Sequence, residues 1–197
     1  MARRPSGLQT RLMDLVIVDD HPAVRAGLRG LIEDEPDLFV AATAGTAREG
    51  FEAIADIQPD VALIDFNLPD DDGLSLCLRT RALPQPPRVV IYSAFASPAM
   101  AVKAAIAGAD SVLPKTSSPR ALLAVLRGEL KPALEPRALR AVGASLEPPE
   151  LAILGMLSNG VSEDEMAQTL GLEPEQALQR RAAILAKLGG RRTLSAA

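Results

Sequence analysis

From residue 15 to about residue 127, short, almost wholly apolar runs alternate with stretches whose apolar residues recur at helical spacing. No other feature constrains the fold as tightly, because repeated βα units leave few architectures open. The runs cover 15–18, 38–42, 61–64, 89–92 and 111–113. Their near-continuous hydrophobicity suits parallel strands covered on both faces. Between them Val24, Leu28, Leu31 and Ile32 mark one helix face, and Ala47, Phe51 and Ile54 the next. Stretches 73–81, 98–107 and 119–127 supply three further helices. The expected fold is α/β, a five-stranded parallel doubly wound sheet of flavodoxin-like type. In such sheets ligands sit beyond the carboxyl ends of the strands.

The strand pattern then stops. Residues 131–145 carry two prolines and read as a linker with one turn of helix. From residue 146 every periodic segment is helical, at about 149–158, 162–170 and 174–188, with a short remnant after Arg191. Asn159-Gly160 and Gly171 close the first two, and Ser162 with Glu165 three residues on makes a capping signature. The division is therefore a flexible tail at 1–12, an α/β domain at 13–130, a linker at 131–145 and a small all-α domain at 146–197. A chain of 197 residues with 48% hydrophobic content can bury both cores.

Charge and cysteine content narrow the function classes. A net charge of -4 argues against a surface built wholly for nucleic acid or anionic membrane, so DNA contact must be local. Cys77 is the one cysteine, which rules out an internal disulfide framework and a thiolate metal site and fits a reducing cytoplasmic setting. Arg3, Arg4 and Arg11 make the start basic, but the apolar run behind them is short and breaks at Asp19, unlike a signal peptide. No segment approaches a membrane span.

Chemistry gathers at the strand ends. Asp19 and Asp20 follow the first strand, Asp65 the third, Ser93 the fourth, and Lys115 lies just past the fifth. Three carboxylates on one rim repel one another unless a cation sits among them, and hard oxygen donors suit Mg²⁺. With the metal and Lys115 neutralising phosphoryl oxygens, Asp65 is placed to act as a nucleophile and hold an acyl phosphate. The following loop, FNLPDDDG, turns sharply at its proline and glycine and can aim the Asn67 carbonyl at the metal, while the Ser93 hydroxyl can bond the phosphate. Each part also has a plainer reading. An acidic pair after a strand can be a helix cap, and Lys115 alone can be solvated. Asp70, Asp71 and Asp72 read as a surface loop before a helix; His21, conceivable as a phosphate relay, reads as a structural helix opener; Cys77 and the methionines read as packing. The strand-by-strand order of the set favours the site.

With these residues in place the chain resembles the receiver domain of two-component systems, in the NarL/FixJ or LuxR-type branch. VIVDDHPAVRAGL, ALIDFNLPDDDGL, VVIYSA and GADSVLPKT each match a receiver motif in order, and the resemblance spans 14–197. It implies Asp65 as phosphoacceptor, Asp20 and Asp65 as direct Mg²⁺ ligands, Asp19 acting through water, and the Asn67 carbonyl completing the protein ligands. It further implies that Ser93 and Lys115 hold the phosphoryl group, and that a sensor histidine kinase donates it. Switching in the family pairs the hydroxyl with an aromatic residue near the fifth strand. Val112 stands there instead, with Tyr92 or Phe95 as possible substitutes.

The C-terminal segment LEPPELAILGMLSNGVSEDEMAQTLGLEPEQALQRRAAILAKLGG resembles the LuxR-type helix-turn-helix. Its scaffold positions match, Leu154, Gly160, Ala167, Gly171, Ile184 and Leu188 among them. Its DNA-facing positions match poorly. Glu163 and Asp164 open the second helix, Glu175, Ala177 and Leu178 stand in the recognition segment, and five basic residues meet seven acidic ones from Leu146 onward. The resemblance implies contacts to double-stranded DNA from Gln176, Ala177, Gln179, Arg180 and Arg181, with Arg191 and Arg192 on the backbone, in a homodimer on paired half-sites. The expected function is transcriptional control rather than catalysis. The alternative is a phosphorylation-gated or constitutive protein-interaction regulator that does not bind DNA. A haloacid dehalogenase-type phosphatase is set aside, since it needs a carboxylate where Asn67 stands.

Overall fold

The computed structural model describes residues 12–131 and 133–189. Five strands, β1 (Met13–Val18), β2 (Leu38–Ala44), β3 (Val61–Asp65), β4 (Arg88–Ser93) and β5 (Ser111–Pro114), form one sheet of order β2-β1-β3-β4-β5, parallel throughout. All five residues of β3 are buried, as a central strand covered on both faces requires. The order reverses direction after β1, so β1 and β3 flank the switch point where a doubly wound sheet opens a crevice.

Helices α1 (Pro22–Glu33) and α5 (Pro119–Arg127) cover one face. There Leu28, Ile32, Leu122 and Leu126 pack on Leu15, Ile17 and Leu63. Helices α2 (Ala47–Ile57), α3 (Gly73–Thr80) and α4 (Pro98–Ala107) cover the other, with Ile54, Leu76 and Val102 on Val16, Ile64 and Ile91. Thr46, Asp72, Ser97 and Ser118 each accept a backbone N–H of their helix's first turn, which fixes where α2, α3, α4 and α5 begin.

Among the described residues four more helices follow: α6 (Pro136–Gly143), α7 (Pro148–Ser158), α8 (Glu163–Leu170) and α9 (Pro174–Lys187). Ser162 caps α8 in the reciprocal arrangement with Glu165 that its spacing predicts. The expected linker differs. It contains α6, two turns long, whose Ala138 and Val142 are buried. The arginines of PRALRAVG fall on the outer side, so the segment is a short amphipathic helix despite its prolines. The remnant after Arg191, with Arg191 and Arg192 themselves, and the tail up to Arg11 lie outside the described residues.

The C-terminal helices share the core of the receiver-like domain. Helix α4 packs on β5 and α3 and, on its outer side, on α6, α7 and α9. One apolar cluster runs from Ile91 through Val102 and Ile106 to Val142, Leu154, Ile184 and Leu185. Its sequence, PAMAVKAAIA, is apolar nearly all round, the composition of a helix buried on more than one side.

Candidate functional site

The strand ends deliver the expected residues to one pocket. Asp19 follows β1, Asp65 ends β3 and Ser93 ends β4; all three are buried, Asp65 with only 4% of its surface exposed. Lys115 reaches across from the end of β5, its Nζ 2.6 Å from Asp19 Oδ2 and 2.8 Å from Asp65 Oδ2. Burial would push the lysine's pKa down, but the hydrogen bonds to Asp19 and Asp65, reinforced by their charges, hold it above the ordinary value. Lys115 is therefore the cation that makes two buried carboxylates tolerable.

Backbone donors fix the acids further. The His21 N–H donates to Asp19 Oδ1 at 2.8 Å, and the Arg25 guanidinium, from α1, donates to the Asp19 carbonyl at 2.5 Å. Asn67 N–H lies 3.4 Å from Asp65 Oδ1. The turn behind Asp65 is closed by Gly73 N–H on the Phe66 carbonyl and by a bridge between Asn67 and Asp72. A side chain on Gly73 would fall on the Asp65 carbonyl oxygen, so the close approach of α3 to the end of β3 requires glycine. Ser93 Oγ accepts from Phe95 N–H at 3.1 Å and its carbonyl accepts from Lys115 N–H, tying the β4 and β5 ends together.

Asp19, Asp20, His21 and Asp65 each present a ligand atom, all within 4.8 Å of one another, so the donor set fits a hard divalent cation. Asp20 and His21 form the exposed side of the pocket, with His21 Nδ1 2.5 Å from Asp20 Oδ1. Asn67 is exposed at the pocket's mouth, close to Asp65.

Other expected residues fall differently. The Asp70-Asp71-Asp72 loop is tied down at both ends. Asp70 accepts from the N–H groups of Ala47 and Arg48 at the start of α2, and Asp72 caps α3. Burial raises the pKa of Asp70, but the Arg48 and Ala47 amides outweigh it and hold the carboxyl below its ordinary range. Of the two aromatic substitutes, Tyr92 is buried, its hydroxyl donating to the Lys115 carbonyl at 3.2 Å, while Phe95 is 72% exposed. In α9, Gln176, Gln179 and Arg180 are exposed, whereas Ala177 and Arg181 are buried. Arg181 Nε donates to the Ile106 carbonyl at 2.6 Å and its Nη2 to the Ala105 carbonyl at 3.2 Å. The expectation that all five face DNA fails in this arrangement for those two. They share the stripe 177, 181, 184 and 185 that packs inward. That spacing is visible in the sequence and was the missed signal.

Residues 15–127 match the family model described as the response regulator receiver domain. The chain belongs to the response regulators. Its relatives place it in the NarL/LuxR family. It is 32% identical to the transcriptional regulatory protein UhpA of Salmonella typhimurium, over 90% of this chain and 92% of that one. It is 32% identical to the nitrate/nitrite response regulator protein NarL of Escherichia coli, over 80% and 81%. Among solved structures, a LuxR-family two-component response regulator from Aurantimonas superposes with a TM-score of 0.56 at 32% identity, covering 66% of this chain and 94% of that one. The five-stranded sheet and the helical C-terminal segment of this response regulator thus agree with the expected fold class. Among the described residues no helix is long and apolar enough to cross a membrane.

Proposed function

We propose that this response regulator accepts a phosphoryl group on Asp65 from a partner sensor histidine kinase, and that the modification controls DNA contact by α8 and α9. The observation that carries this reading is the buried Asp65 at the end of β3, ion-paired to Lys115 and flanked by Asp19 and Ser93. An Asp65 carboxylate oxygen attacks phosphorus and forms an acyl phosphate, while the bond to the donor histidine nitrogen breaks and that nitrogen keeps the electron pair. Lys115, already 2.8 Å from the acceptor, pairs with a phosphoryl oxygen. The Ser93 hydroxyl now accepts from Phe95 and has its proton free to donate to another. Asp19, Asp20 and Asp65 with the Asn67 carbonyl would hold Mg²⁺, which when bound offsets phosphoryl charge.

The output side favours gating. Arg181 lies against α4 and Ala177 is buried, so Arg181, at least, joins the proposed DNA-facing set of Gln176, Ala177, Gln179, Arg180 and Arg181 only after α9 leaves α4. The relatives' description as transcriptional regulators supports DNA as the partner, with two copies on paired half-sites in the cytoplasm. A second reading, a protein-interaction regulator without DNA contact, is favoured by the excess of acidic residues from Leu146 onward.

Incubation with radiolabelled acetyl phosphate and Mg²⁺ tests the receiver: label is expected on the wild type and absent from Asp65→Asn, and persistent label on the variant overturns the assignment. Gel shifts with and without beryllofluoride, at low and moderate salt, separate the two outputs. Binding of the chain's own promoter that strengthens with the phosphate mimic supports the first, and no shift of any duplex at low salt leaves the second.

A further inference from the structure

We propose that the seam between the receiver and the C-terminal helices is a binding site for a small phosphorylated organic anion. A cavity of about 600 Å³ opens there, walled by α4 and β5 on one side and by the α7–α8 turn on the other. Cavities of this size at a domain boundary are the usual place for a small ligand. Its walls are built of small side chains: Ala101, Ala105 and Ala109 line the α4 side, and Val112 the β5 side.

Charge sets the ligand class. Arg81, Lys131 and Arg181 line the cavity against the single carboxylate of Asp110, whose Oδ2 already accepts from Val89 N–H at 2.9 Å. The two arginines converge over Gly108, which sits at φ +100°. A Cβ there would stand 2.7 Å from Arg81 Cγ and 3.0 Å from Arg181 Nη2, so the glycine is what lets the Arg81 stem and the Arg181 guanidinium lie side by side. Arg181 is 2% exposed and held by the Ala105 and Ile106 carbonyls, hence fixed before any ligand arrives. Burial lowers its pKa to about 10, with Cys77 opposing and the Arg81 charge adding a smaller effect in the direction of burial. Lys131 makes no hydrogen bond or ion pair among the described residues and is exposed at the mouth. A guanidinium binds phosphoryl oxygens through parallel N–H donors and an ammonium as a point charge, and the alanine and leucine walls suit an organic body rather than a bare ion. Ser158, Asn159 and Ser162 offer polar atoms on the opposite wall. Since both halves of the chain line the site, an occupant stabilises the arrangement in which α9 lies on α4.

Calorimetric titration of the full chain with inorganic pyrophosphate, ribose 5-phosphate and adenosine monophosphate, in EDTA at constant ionic strength, tests this. Saturable binding is expected for at least one of the organic phosphates, tighter than for pyrophosphate. Arg81→Gln and Lys131→Gln should each weaken it about tenfold. Val112→Phe, which narrows the cavity at its β5 wall, should weaken it. Asp65→Asn should leave it unchanged, because the phosphoacceptor pocket is a separate site. Lys131→Gln touches no packed residue and keeps the test decisive if the arginine variant is unstable. The proposal is overturned by the absence of saturable heat from all three probes, by binding that survives both charge removals, or by binding lost with Asp65→Asn.

Discussion

Lys115 carries more of the site than its single charge suggests, because Asp19 and Asp65 are both buried and both bond to its ammonium. Lys115→Met leaves two carboxylates facing each other in a pocket that can no longer neutralise them, at a cost of about 3 kcal/mol. Adding Mg²⁺ should then raise the melting temperature of the variant more than that of the wild type, an ordering that melts in EDTA and in Mg²⁺ will check. A second charge cluster sits at the other end of the sheet. Arg127 binds Asp37 through Nε and Nη2 at 2.7 Å and also reaches Glu35. The Arg127 hydrogen bond holds the Asp37 carboxyl below its ordinary range. A depressed folded-state pKa contributes stability that is present above the ordinary carboxylate range and lost as pH falls through the depressed value. Asp37→Asn should flatten the acid side of the curve of melting temperature against pH. The pocket of Asp19, Asp65, Ser93 and Lys115 was legible residue by residue because each member closes or directly follows an apolar strand. Arg25 and Asp70 were not, since a guanidinium on a backbone carbonyl and a carboxylate on a distant helix start leave no local pattern.

The elements were legible where one face is apolar and the ends are marked. Helices α4 and α5 begin and end where their proline, serine and glycine signals place them. Helix α6 reads from sequence as one turn because the two prolines at and before its start outweigh a short apolar stripe, and its burial depends on a partner far away in sequence. The loop between β3 and α3 carries the sharpest constraint on any element. Gly73→Ala must push α3 away from the Asp65 carbonyl, an overpacking cost of about 1–3 kcal/mol. Because that same carbonyl belongs to Asp65, the proposed phosphoacceptor, labelling by acetyl phosphate should fall while circular dichroism still reports a folded chain. At α8, Ser162→Ala removes the cap on Glu165 N–H and the hydroxyl bond to its carboxylate, for about 1 kcal/mol. The loss should appear as faster amide exchange confined to the start of α8.

At the scale of the whole molecule the two halves are joined by polar bonds as well as by the shared core. Arg181 reaches into α4 from the C-terminal side, and Lys103 Nζ, on α4, reaches out to the Leu188 carbonyl at 2.7 Å. Sequence periodicity assigns each helix an apolar face but does not say which helix it meets, so this docking was invisible until the structure was in hand. The two contacts make separable predictions. Arg181→Ala removes the two charge-assisted bonds to the Ile106 and Ala105 carbonyls, worth about 2 kcal/mol net and enough to shift a docked-to-open balance by about thirtyfold. Lys103→Met removes one bond and leaves every residue of α9 intact. Both variants should show faster amide exchange in α9 and a larger radius of gyration in solution scattering. If Arg181 also contacts DNA once released, only Lys103→Met gains affinity for the promoter, while Arg181→Ala opens without gaining. Equal gains by both variants would mean that Arg181 serves the docked state alone, and no opening in either would mean that the apolar cluster shared by α4, α6 and α9 holds the halves together unaided.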